Sequence, residues 1–204
     1  MAVGNRTAVA EATAGNERLT ASTAVALLIL LAVEGVTLLA LRQLLSVHIF
    51  VGALLIPPVL LKLASTGYRF VRYYSGNANY TAKGPPHALL RGIAPIIVLT
   101  TVLLFASGIA LLLAGPSSRD TLLPIHKVSF IVWVIFTGVH VLGHLLELPG
   151  AVRPDLGREA GVPGRSLRWM LLTVSVIVGV GVGVWALGYA DPWIHTFAVF
   201  HHDH

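Results

Sequence analysis

Nine histidines are distributed over 204 residues, and where they fall is informative. His48, His126, His140 and His144 stand inside long apolar stretches, and His87 opens another. The other four, His195, His201, His202 and His204, belong to the C-terminal tail. An ionisable side chain is costly in hydrocarbon, so a histidine within a membrane span is read first as functional. Neutral imidazole is a strong nitrogen ligand for transition metals, iron included. A lone histidine is more often a hydrogen-bonded packing residue; several on facing helices shift the balance toward ligation.

That chemistry depends on what positions the histidines. Apolar residues make up 55% of the chain, charged residues only 11%, and mean hydropathy is +0.80. A soluble domain carries roughly 25% charged residues, so this chain has too few to cover a water-facing surface. A helix needs about 20 apolar residues to cross a bilayer, and five stretches qualify: 22–41, 47–64, 89–114, 123–148 and 167–187. The expected fold is all-α, an integral membrane bundle of five transmembrane helices spanning 21–190. Residues 1–20 are expected as a polar cytoplasmic segment and 191–204 as an external tail. The first twenty residues lack the basic-then-apolar design of a signal peptide, so the first span is expected to persist as a membrane helix.

Basic residues set the expected orientation. With the N-terminus inside, Arg6, Arg18, Lys62, Arg69, Arg72, Lys83, Arg91, Arg153, Arg158, Arg165 and Arg168 fall on the inner side. Arg42, Arg119 and Lys127 alone fall outside, a strong positive-inside bias for a plasma-membrane protein with its C-terminus external. The net charge of +5 is thus explained by topology, with lipid rather than nucleic acid as the partner. Absence of cysteine excludes disulfides, thiolate-bound iron–sulfur clusters and haem attached through C-x-x-C-H.

Depth can be counted along the spans. His48 begins the second span at its outer end, and His126 lies one turn into the fourth, which starts from the same side. One imidazole from each of two helices at one depth fills both axial positions of a haem iron. His126 and His140 are 14 residues apart, roughly 21 Å along a helix and about 40° from alignment. Two haems stacked across a bilayer require such a spacing. His144 lies one turn further in, so the inner ligand is either His140 or His144, opposite His87.

The runs Leu45-Ser46-Val47-His48-Ile49-Phe50-Val51-Gly52, His126-Lys127 and Gly138-Val139-His140-Val141-Leu142-Gly143-His144 resemble the bacterial cytochrome b561 and related membrane b-type cytochromes. The resemblance covers the second to fourth spans and rests on short motifs. It implies a four-helix haem core, two non-covalent haem b groups (or one) held by paired histidines, and electron exchange with quinone or a redox partner protein. A place as the membrane subunit of a larger oxidoreductase is consistent with it. By the same resemblance His48 and His126 form the outer pair, His140 is an inner ligand, and Gly52 leaves room for a porphyrin face. The chain departs from the pattern in having no histidine in its first span, which leaves His87 as the remaining inner ligand, and in having a fifth helix.

Other features carry two readings each. Glu34, inside the first span, is read as a proton relay or quinone contact, or as a protonated glutamate bonded to a neighbouring helix. Arg91, Lys62 and Tyr68 inside, and Arg42 and Lys127 outside, are propionate partners or interface anchors. Gly179 and Gly183 form a G-x-x-x-G pair suited to close helix packing, and Pro57-Pro58 interrupts the second span. The tail histidines are a divalent-metal site or a solvated terminus. The rival functions are a histidine-bound non-haem metal enzyme, a transporter and a membrane anchor.

Overall fold

The computed structural model describes residues 2–84, 88–144 and 164–199. Among them there is no strand, and seven helices follow in order: α1 (Ala2–Leu39), α2 (Leu45–Tyr74), α3 (Ala78–Lys83), α4 (Ala88–Ala114), α5 (Arg119–His144), α6 (Arg165–Leu187) and α7 (Asp191–Val199). Five are long and apolar enough to cross a membrane, over Thr13–Leu39, Leu45–Tyr74, Leu90–Ala114, Pro116–Gly143 and Arg165–Leu187. Their apolar side chains remain largely exposed, Leu39, Val71, Leu142 and Ile177 among them. The chain is a multi-pass membrane protein whose outer surface is suited to lipid.

The helices pack as two groups. α2 lies against both α1 and α6, while α4 and α5 form a hairpin through a short 3-10 turn at Pro116–Ser118. Between the groups contact is light: α2 meets α4 over a short length and scarcely touches α5. Phe105 of α4 packs onto the small core of Leu27, Val51 and Leu55, joining the hairpin to the rest. Within the hairpin, Trp133 Nε1 donates to Thr101 Oγ1 at 2.8 Å. Interhelical bonds of this kind contribute about 0.6 kcal/mol on average and up to about 1.7. Trp133→Phe is therefore expected to destabilise the detergent-solubilised protein by about 1 kcal/mol, read by steric-trap or denaturant unfolding.

The sequence at α6 explains its tight seat. A Cβ added at Gly179 would overlap the Leu54 carbonyl oxygen, and one at Gly183 would stand 2.7 Å from Phe50 Cδ2 and 2.9 Å from its carbonyl oxygen. The G-x-x-x-G pair thus packs closely on a neighbouring helix, as expected, and that helix is α2. Leu54 is four residues before Pro58, which has no N–H to donate back to it. α2 continues through Pro57 and Pro58 rather than breaking. The carbonyl left without its helical donor is the one that Gly179 approaches, a setting for a weak Cα–H···O contact.

Two boundaries differ from expectation. α1 begins at Ala2, so residues 2–20 are helical and continuous with the first span. Alanine-rich sequence favours this, and the extension is tied down: Asn16 Nδ2 donates to Ser65 O at 2.9 Å and Thr20 Oγ1 to Ser65 Oγ at 2.9 Å. Residues 191–199, expected as tail, form α7, which lies near the 3-10 turn with Trp193 buried. The rest of the tail and the loop 145–163 lie outside the described residues.

The turn 40–44, the 3-10 turn, the C-terminal end of α6 and α7 share one end of the bundle. The start of α1, α3 and the start of α6 share the other, where α3 packs on α1 and α2. Basic side chains there meet aromatic rings: Arg72 lies over Tyr68 at 5.8 Å and Arg91 over Tyr74 at 5.6 Å.

Candidate haem-ligand site

His48 and His126 occupy the same end of the bundle, one in the first turn of α2 and the other two turns into α5. Both are half-buried, and their two helices scarcely touch.

Each ring is held at Nδ1 by a neighbouring helix. His48 Nδ1 lies 2.8 Å from Glu34 Oε1 and 3.1 Å from Thr37 Oγ1, both on α1. The Thr37 hydroxyl donates its single proton to the Glu34 main-chain oxygen at 2.6 Å, so toward the imidazole it can only accept. His126 Nδ1 lies 3.0 Å from Ser107 Oγ and 3.2 Å from the Leu104 carbonyl oxygen on α4. Ser107 likewise donates to Leu104 O at 3.0 Å, and a carbonyl can only accept.

The same device appears twice. A hydroxyl bonded to the carbonyl three residues earlier presents an acceptor to a histidine on the next helix. With Glu34 ionised, the groups facing each ring all accept, which places the proton on Nδ1 and the lone pair of a neutral imidazole on Nε2. Neither Nε2 has a hydrogen bond to the described residues. This is the second-shell arrangement that prepares a histidine to ligate.

Glycine admits the His126 ring and the Glu34 carboxyl group. A Cβ at Gly108 would stand 3.1 Å from His126 Cε1, and one at Gly52 would stand 3.3 Å from Glu34 Oε1. The neighbour that Gly52 admits is therefore the Glu34 carboxylate beside His48. Gly108→Val is expected to displace the His126 ring and cut the retention of any group that His126 ligates by about tenfold or more; Gly138→Ala, where a Cβ meets nothing, is the control.

Glu34 reaches the neighbouring helix α2 through His48. Lys62 Nζ donates to Thr20 O at 2.9 Å, which makes it a link between α1 and α2. Tyr68 stacks edge-on against Tyr80 at 6.1 Å. Arg42 and Lys127 are exposed at the His48 end.

His140 is half-buried on α5, and His144 ends that helix. His87 lies outside the described residues, as do His201, His202 and His204. Trp133, bonded to Thr101, lies between His126 and His140 along α5. Sequence reading missed Thr37, Ser107 and Gly108; the only signals were a hydroxyl one turn after Glu34 and a Ser-Gly pair in a largely apolar helix.

Comparison with protein-family models, with curated proteins and with solved structures yields no match.

Proposed function

We propose that this chain is a membrane b-type cytochrome that holds a haem between His48 and His126 and carries electrons to or from quinone or a redox partner. The observation that carries this reading is the pair of imidazoles on separate helices, each with Nδ1 anchored and Nε2 unengaged. Haem bound there would supply one-electron exchange between ferric and ferrous iron. The protein's part is to fix both rings, exclude water with apolar helices and provide the light contact between α2 and the hairpin that a planar group needs. Among the described residues no three or more His, Asp or Glu side chains gather, an arrangement that suits two axial ligands better than a non-haem metal enzyme.

A second, inner haem would use His140 or His144 with His87. The concentration of arginine at the opposite end supports a cytoplasmic N-terminus and a plasma-membrane setting. Membership of a larger oxidoreductase fits a chain whose sequence contains no flavin or nicotinamide motif. Titrating haemin into protein produced without haem tests the reading. A saturating, six-coordinate low-spin spectrum at one or two equivalents is expected; failure to saturate, or a five-coordinate product, would count against it.

A further inference from the structure

We propose that Glu34 is a positioning residue that strengthens electron donation from His48, making the two sides of the outer site chemically unequal; this rests on the haem reading above. The two histidines share the same hydroxyl device but differ in their remaining acceptor. His126 Nδ1 faces only neutral groups, Ser107 Oγ and Leu104 O. His48 Nδ1 faces Thr37 Oγ1 and, at the shorter distance of 2.8 Å, the Glu34 carboxyl oxygen.

A carboxylate draws the Nδ1 proton more strongly than a peptide carbonyl does, and that raises the basicity of Nε2 across the ring. A more basic axial nitrogen favours ferric over ferrous iron and lowers the reduction potential. Glu34 Oε2 is buried with no hydrogen-bond partner among the described residues, so no other donor shares the carboxyl's acceptor strength. The seat is also built for it, since a Cβ at residue 52 would press on Oε1 at 3.3 Å. Glycine at that position therefore acts through Glu34.

The test uses the purified, haem-loaded chain and its E34Q, E34D and G52A variants. Three readouts are taken: haem per chain, a redox titration, and low-temperature electron paramagnetic resonance of the oxidised form. E34Q is expected to keep haem while its midpoint potential and its largest g value both shift upward. E34D is expected to lie between E34Q and wild type. G52A, which crowds Oε1 without removing it, is expected to shift the potential in the same direction by less, and it supplies the readout should E34Q fail to hold haem. Variants with haem bound and with wild-type potential and g values would overturn the Glu34 assignment alone. A wild-type chain that takes up no haem would instead overturn the reading on which it rests.

Discussion

Replacing His126 by alanine is expected to remove the outer haem altogether. With one haem per chain, absorption falls essentially to zero; with two, it falls by half. His48→Ala is expected to do the same, because a ring approached from one side only is left with a single protein ligand. Loss of a mere second-sphere partner typically costs about 10–100-fold in metal affinity, and loss of the ligand itself exceeds that. Other contacts hold the helices when either imidazole is lost: α5 keeps Trp133 on Thr101, and α2 keeps its contacts with α1 and α6. Helical circular dichroism is therefore expected to remain while haem, quantified as the pyridine complex, is lost. His195→Ala, on exposed α7, leaves haem content unchanged.

The largest effect on stability is expected at the contact between α2 and α6. Gly179→Leu places a side chain where the Leu54 carbonyl stands, and Gly183→Leu places one within the Phe50 ring. Overpacking a close contact costs about 1–3 kcal/mol, and here one obstacle is backbone, which cannot rotate away. At about 2–4 °C of melting temperature per kcal/mol for a chain of this size, each variant is expected to melt several degrees below wild type in detergent. Gly181→Leu is the internal control. It is on the same helix between the two, a Cβ there meets nothing, and its stability is expected to stay within about 0.5 kcal/mol of wild type.

How much of this was legible in the sequence follows from what periodicity encodes. Hydropathy marks helices that must cross a membrane, so all five were readable, though not their ends. Ala2–Thr20 is polar enough to read as a tail, yet it is helical because Asn16 and Thr20 find Ser65 on α2. Depth is also readable, since helical rise is constant: counting from the span ends put His48 and His126 at one level. The G-x-x-x-G spacing places Gly179 and Gly183 on one face of α6, and that face is the one α2 covers.

What counting does not reveal is how each helix is rotated against its neighbours. The bond from His48 to Glu34 spans 14 residues of sequence and crosses from α2 to α1. Its counterpart, from His126 to Ser107, crosses from α5 to α4. Each depends on side-chain packing along a whole interface. Neither hydroxyl differs in sequence from the many serines and threonines that bond only their own helix, such as Thr100 and Ser175. The inner site is less defined for a related reason: His140 and His144 share a face one turn apart, and depth alone does not choose between them.

The central claim is that this membrane bundle carries haem between His48 and His126. A reduced-minus-oxidised visible spectrum of the purified chain, with haem quantified per polypeptide, tests it most directly. The account predicts the sharp α and β bands of a six-coordinate b-type haem at one or two haems per chain. A purified, folded protein with no haem absorption in either redox state would contradict it.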